Sequence, residues 1–259
     1  NSCVNTEGHA LGIDFGGSQL KAGIIDCATG ALVSTKHETP TPKPSTPAAV
    51  MAELDNIVHH FDWHGRPLGV TVPAVVRNQV VLSAANIDKS WIGVHAVDAV
   101  KTATGACSVA IKNDAAAAGW AEMQWGAGKP WQKGATPGVV FIITLGTGIG
   151  SVIFVNGHML TAELGHLQFN STESEKYAAA IVKSKENLSW REYGERVNWY
   201  LQAVETLFAP DVFIIGGGVS EYHDLFFHYL QPKAQVLPAS FGNVAGIAGI
   251  ACAALGTWS

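Results

Sequence analysis

Two glycine-broken turns carry the residue types in this chain that could handle phosphate. The first is Asp14-Phe15-Gly16-Gly17-Ser18, followed by Lys21, and the second is Leu145-Gly146-Thr147-Gly148-Ile149-Gly150. Each lies between apolar, strand-like runs. Turns of this composition let backbone N–H groups approach phosphate oxygens with no Cβ in the way. A carboxylate at the first strand's end can hold Mg²⁺ or its waters, and Lys21 offers a point charge. Taken alone, the first segment is equally a tight hairpin whose glycines satisfy turn geometry. The second resembles a dinucleotide G-x-G, but a strand follows it rather than a helix, which argues against NAD.

Three further groups could do chemistry. Asp114 stands between a short strand and an alanine-rich helix, where an N-cap is the ordinary role and a cleft-facing reactive carboxylate the alternative. Glu163 and His166, in Ala162-Glu163-Leu164-Gly165-His166, share a face if helical. They form either a surface pair or, with Gly165 bending the chain, a site for a polyhydroxylated ligand. Gly216-Gly217-Gly218 after an apolar strand suits close approach of a ribose or phosphate, or a bare strand-to-helix connection. Trp91, beside Asn86 and Lys89, could flank a sugar.

The elements that must position these residues alternate in type. Runs at 10–15, 20–26 and 32–35 read as a strand meander. The proline-rich stretch 39–47 excludes a helix interior or central strand, and its end starts a helix with Thr46 as N-cap and Pro47 first. That helix runs to about Phe61, and a strand at 68–76 is broken by Pro73. A strand at 107–111, a helix at 115–125 and a second hairpin at 139–144 and 151–155 follow. A long amphipathic helix at 190–208, a strand at 212–215 and a small-residue helix within 242–256 complete the chain. The class is α/β, with a lobe boundary near Asn113.

Bulk properties narrow the function. The 259 residues are 47% hydrophobic and 14% charged, enough for one large domain or two modest ones. A formal charge of -5 supplies no basic field for nucleic acid. No apolar stretch approaches the roughly 18 residues that span a bilayer, and the first residues lack a secretion signal. Cys3, Cys27, Cys107 and Cys252 are scattered without a C-x-x-C pair, which argues against zinc and fits reduced thiols of a cytoplasmic protein.

Together the motifs resemble the ROK sugar kinases of the hexokinase–actin-like superfamily, over residues 11–249. The branch of polyphosphate- and ATP-dependent glucokinases and glucomannokinases is the most similar. That likeness rests on 39–47, Ala84-Ala85-Asn86-Ile87-Asp88-Lys89-Ser90-Trp91, Leu188-Ser189-Trp190 and 211–220. The resemblance implies a two-lobed actin-like (hexokinase/ribonuclease H-like) fold with duplicated βββαβα cores. It implies a small lobe of residues 10–112, joined by a returning helix at 243–257, and a large lobe of 113–242.

It also implies a reaction: transfer of the terminal phosphoryl group of polyphosphate or ATP to the 6-hydroxyl of glucose or mannose. Asp114 would be the general base, with Asn86, Asn113, Asp114, Glu163 and His166 on the sugar in a cleft between the lobes. Gly16, Gly17, Ser18, Lys21, Gly146, Thr147 and Gly148 would bind phosphates, Gly216, Gly217 and Gly218 the adenosine side, and Asp14 a Mg²⁺ ion. Most of the family carries a cysteine-rich zinc motif after the sugar-binding His, but no cysteine lies between Cys107 and Cys252. No zinc is therefore expected, and Glu175 stands in for the zinc-proximal Glu. Lys89, Lys129 and Lys133 are candidate cations for a polyphosphate chain, and the assembly is a monomer or homodimer. The alternative is a sugar-responsive regulator of the same family. Such regulators carry an N-terminal DNA-binding domain, where here about ten residues precede the first strand.

Overall fold

Two sheets with one connectivity organise the chain. The computed structural model describes residues 3, 6–169 and 171–258. One unit runs to Ala121 and takes the chain back from Val244, and the other is Glu122–Asn243. Among the described residues the helices are Pro47–His60 (α1), Ala96–Thr104 (α2), Asp114–Trp125 (α3), Glu175–Ala178 (α4), Ala180–Lys185 (α5), Trp190–Phe208 (α6) and Ala245–Ala254 (α7).

In the first unit the strands are His9–Phe15 (β1), Gln19–Asp26 (β2), Ala31–Leu32 (β3), His37–Pro40 (β4), Leu68–Val72 (β5) and Val109–Asn113 (β8), with a small hairpin Val76–Arg77 (β6) and Val80–Val81 (β7). The sheet order is β3-β2-β1-β5-β8, and β4 also pairs with β2. β1 and β2 are antiparallel across a short turn, whereas β5 and β8 run parallel to β1 after helical crossovers. Strand β4 tolerates Pro40 because it is an edge. The strand expected at 107–111 begins two residues later, where its register with β5 starts at Leu68↔Val109.

The second unit repeats the pattern. Val139–Leu145 (β9), Ile149–Val155 (β10) and His158–Ala162 (β11) form the meander, and Val212–Gly216 (β14) and Gln235–Pro238 (β15) add in parallel, giving β11-β10-β9-β14-β15. A two-residue-arm hairpin, Gln168–Phe169 (β12) and Thr172–Glu173 (β13), stands apart. The duplicated core expected from the resemblance is therefore present as topology.

Period-two alternation explains the packing of β9. Phe141, Ile143 and Leu145 face a cluster that includes α6, while Val140 and Ile142 join the opposite cluster with Met123. Helix α6 starts at a capping box, with Ser189 Oγ accepting from Glu192 N and the Glu192 carboxylate accepting from Ser189 N. Its buried stripe, Tyr193, Val197, Tyr200, Leu201 and Val204, follows helical spacing. In the first unit α7 lies directly on β1 and β5. A Cβ at Gly12 would collide with the Ile247 carbonyl, and one at Gly69 with that of Ile250. Small residues in both layers let the backbones approach.

One expectation about the cysteines is corrected. Cys3 and Cys107 form a disulfide, with Cα atoms 5.3 Å apart, while Cys27 and Cys252 are thiols. Sequence spacing hides this pair because its partners stand 104 residues apart, with Cys107 just before β8. No helix among the described residues is long and apolar enough to cross a membrane.

Candidate active site

In the first unit the functional side chains gather at the C-terminal ends of β1 and β8. The β1–β2 register places Phe15 opposite Leu20, so residues 16–19 make the turn. Gly16 N donates to Gln19 O at 2.9 Å, and Thr41 Oγ1 donates to Gly16 O at 2.6 Å, fixing the turn from outside. Gly17 lies against the Asn86 backbone, its would-be Cβ 3.5 Å from the Asn86 carbonyl oxygen. The first glycine turn and the exposed Asn86 are thus neighbours.

Asp14 is opposite Lys21 in the same register. Its Oδ1 accepts a 2.7 Å bond from Thr71 Oγ1, which itself accepts from Phe15 N at 2.9 Å. Burial raises the Asp14 pKa, and the Thr71 bond and the Lys21 charge only partly oppose that. Trp91, read as a sugar-flanking ring, is instead 1% exposed and packs on Phe15. Its indole donates to Ser45 O at 2.8 Å, which makes it a brace for the Asn86 loop.

At the end of β8, Asn113 rather than Asp114 caps α3. Asn113 Oδ1 accepts from Ala115 N at 2.9 Å and from Ala116 N at 3.2 Å. Its Nδ2 donates to Ala74 O at 3.2 Å, so a single side-chain N–H is left for a ligand. Asp114 is the first helical residue and half-buried, and its Oδ1 also receives Ala115 N at 2.9 Å.

In the second unit, β9 and β10 close at Gly146–Gly148, with Gly146 N donating to Gly148 O at 3.0 Å. Gly146 and Thr147 are exposed. The Gly216-Gly217-Gly218 segment packs on this turn. Gly217 has φ +88° and its missing Cβ is where the Leu145 carbonyl sits, so conformation and space both require glycine.

Glu163, His166 and Glu175 also come together. Residues Leu164–His166 make one 3-10 turn, and buried Gly165 lies against the Ile149 backbone. Ser151 Oγ donates to Ala162 O at 2.7 Å and accepts Leu164 N at 2.9 Å, stitching this segment to β10. Glu175 Oε2 accepts Ile149 N at 3.4 Å. Glu163 is exposed by area yet crowded by protein, and that desolvation holds its carboxyl above the ordinary carboxylate range. His166 pulls the Glu163 pKa down and the Glu175 charge pushes it up. His166, Glu173 and Glu175 also present one ligand-type atom each, all within 4.8 Å of one another. Lys176 is bound to that group through Glu173 at 3.0 Å.

Sequence reasoning missed Thr71, Ser151 and Glu173. Thr71 was the one to find: it is the lone polar side chain in Leu68-Gly69-Val70-Thr71-Val72, a strand buried throughout.

Comparison with known proteins bears on the family and the fold. A model of the ROK family matches residues 10–179. The chain is 43% identical to the polyphosphate glucokinase of Mycobacterium tuberculosis (strain CDC 1551 / Oshkosh) over 253 residues, covering 97% of this chain and 93% of that one. It resembles the crystal structure of the inorganic polyphosphate/ATP-glucomannokinase from Arthrobacter sp. strain KM at TM-score 0.90 and 37% identity, covering 95% and 98% of the two chains. A ROK family glucokinase from Streptomyces griseus in complex with glucose and AMPPNP matches at TM-score 0.79 and 25% identity, covering 94% and 98%.

Proposed function

The chain belongs to the ROK family, and from that premise we propose that it is a glucokinase driven by inorganic polyphosphate or ATP. The terminal phosphoryl group moves to the 6-hydroxyl of glucose, with mannose as a second acceptor. The observation that carries this reading is the end of β8. Asn113 caps α3 through Ala115 N and Ala116 N, and Asp114 follows it at the C-terminal end of a parallel strand, where α/β folds place reactive groups.

Asp114 accepts the 6-hydroxyl proton as phosphorus is attacked in line. A carboxylate with a pKa of about 4 cannot ionise an alcohol beforehand. Phosphoryl transfer tolerates this because its loose transition state depends mainly on positioning and charge neutralisation. Glu163, His166, Asn86 and Glu175 pair with the other sugar hydroxyls, and Asn113 adds its one remaining N–H. A sugar lacking a paired hydroxyl leaves a polar group unpaired, which gives selectivity.

Gly16, Gly17, Ser18, Lys21, Gly146, Thr147 and Gly148 hold donor phosphates. Gly216, Gly217 and Gly218 serve the nucleoside side when ATP is the donor. Asp14 fits a hydrated divalent cation: its buried carboxylate has one oxygen on Thr71 and gains from a neighbouring positive charge. Bound Mg²⁺ would supply neutralisation of phosphate charge there. A cytoplasmic site of action follows from the donors, with the Cys3–Cys107 bond as the feature that fits it least.

The test is a donor-by-acceptor activity matrix: ATP and polyphosphate, each with glucose, mannose and fructose. Sugar 6-phosphate from glucose with both donors is expected. Sugar binding without turnover on either donor would favour the regulator reading instead.

A further inference from the structure

Polyphosphate is a chain, so its use as donor calls for cations beyond those that hold the phosphates at the reaction centre. Lys133 stands at the wrong end of the second sheet for this role. β9 and β10 close at Gly146–Gly148 and stay paired to Val139↔Val155. The Lys133 backbone fills the space a Cβ would take at Gly157, in the turn beyond Val155. Seven-residue strands rising about 3.4 Å per residue put Lys133 about 20 Å from the phosphate turn.

A different basic segment meets that turn directly. Ile181 N donates to Gly146 O at 3.1 Å, which seats α5 on the Gly146–Gly148 loop. Lys183 and Lys185 follow two and four residues later, about 3 and 6 Å along the helix axis. Residues 173–196 hold Lys176, Lys183, Lys185, Arg191 and Arg196 against Glu173, Glu175, Glu186, Glu192 and Glu195, so what matters is which cations are paired.

The acidic groups of this segment are already engaged. Glu186 pairs with Arg196 at 2.6 Å, Glu195 with Arg191 at 2.9 Å, and Glu192 closes the α6 capping box. Lys176 is held by Glu173 at 3.0 Å. Ion pairs among the described residues include neither Lys183 nor Lys185. The Lys183 ammonium sits 4.2 Å over the Trp190 ring, a contact that fixes its position while leaving its charge uncompensated. Lys185 is exposed.

We propose that Lys183 and Lys185 begin a track for the distal phosphates of inorganic polyphosphate, leading away from the Gly146–Gly148 turn. This rests on the reading of that turn as the donor-phosphate site. ATP has only three phosphates and a nucleoside that takes the Gly216–Gly218 side. The track therefore sets the preference between donors and the dependence on polyphosphate length.

The test compares the full chain with K183A, K185A, the double alanine variant, the double arginine variant and K129A/K133A. Each is assayed with ATP, tripolyphosphate and long-chain polyphosphate at saturating glucose. The KM for long-chain polyphosphate should rise roughly fivefold per lysine, the upper end for an exposed ion pair. The ratio of long-chain polyphosphate to ATP kcat/KM should fall accordingly, with tripolyphosphate affected less. Arginine should restore that ratio, and K129A/K133A should leave it where the parent has it. An unchanged ratio in K183A/K185A, or equal losses with both donors, overturns the track while leaving the kinase reading intact. A parent chain that turns over ATP but not polyphosphate overturns the donor reading and the track together.

Discussion

His166 Nδ1 lies 3.1 Å from Glu173 Oε1, and the second oxygen of that carboxylate holds Lys176 Nζ at 3.0 Å. The bond reaches across the β12–β13 hairpin, which Ser174 closes by donating both its N–H and its hydroxyl to Leu167 O, at 2.8 and 2.7 Å. Lys176 and His166 both lower the Glu173 pKa, so the carboxylate stays ionised and accepts the Nδ1 proton. That bond favours the Nδ1–H tautomer, and in the proposed site Nε2 then faces a sugar hydroxyl. Glu173→Gln keeps the shape but loses this preference. It should raise the glucose KM several-fold, with the donor KM unmoved, and Glu173→Asp should recover part of the loss. An unaltered glucose KM in steady-state assays would remove Glu173 from the positioning role.

Asn113 caps α3, while the proposed function makes Asp114 the base, and their sequence could not separate these two jobs. Both residue types cap helices, they are adjacent, and element boundaries are uncertain by a residue or two at the level of sequence. The glycine turns were legible because a turn needs its glycines locally, and α1 and α6 were legible through Thr46, Pro47 and hydrophobic spacing. Thr71 was not, because it meets Asp14 across 57 residues. Nor was Lys133's distance from the phosphate turn, which is a property of strand register.

The division of labour predicts opposite phenotypes. Asp114→Asn should cut kcat by roughly 10²–10⁴ with little change in glucose affinity or melting temperature. Asn113→Ala should cost about 1 kcal/mol of stability through the lost cap. Paired kinetic and thermal measurements distinguish the two, and near-normal turnover in Asp114→Asn would exclude it as the base.

In the proposed site the Glu163 carboxyl must be ionised to accept sugar hydroxyls. Because crowding raises its pKa and Glu175 adds to the rise, the acid limb of kcat/KM for glucose should fall above the ordinary carboxylate range. Glu175→Gln removes the like charge and should move that limb to lower pH. A limb that stays in place when pH profiles of the two proteins are overlaid would separate Glu163 from Glu175 electrostatically.

Asp14 carries a stability cost at the position proposed to face a divalent cation. Its folded-state pKa is raised by burial, so the folded chain keeps that proton to higher pH than the unfolded chain does. The resulting destabilisation is absent below the ordinary carboxylate range and grows as pH rises through the raised value. Asp14→Asn should therefore melt higher than the parent at pH 7.5, with the gap closing towards pH 4, while losing activity. Added Mg²⁺ should raise the melting temperature of the parent and not of the variant. A parent that melts higher than Asp14→Asn at pH 7.5 without Mg²⁺ would contradict a net cost at this site.

The Cys3–Cys107 bond joins residues 104 apart in sequence. Cross-linking a loop of that length removes unfolded-state entropy worth up to about 4.7 kcal/mol in the chain-entropy account. Reduction should therefore lower the melting temperature of the parent clearly, and Cys107→Ser should melt at the reduced value whether or not reductant is present. Neither residue belongs to a phosphate turn or to the Asp114 end of β8, so kcat at a temperature well below melting should be the same in both redox states. Thiol titration of the chain unfolded without reductant should count two thiols, Cys27 and Cys252, and four after reduction. Four thiols without reductant, or a melting temperature indifferent to it, would remove the cross-link and return the N-terminal segment to a single covalent tether.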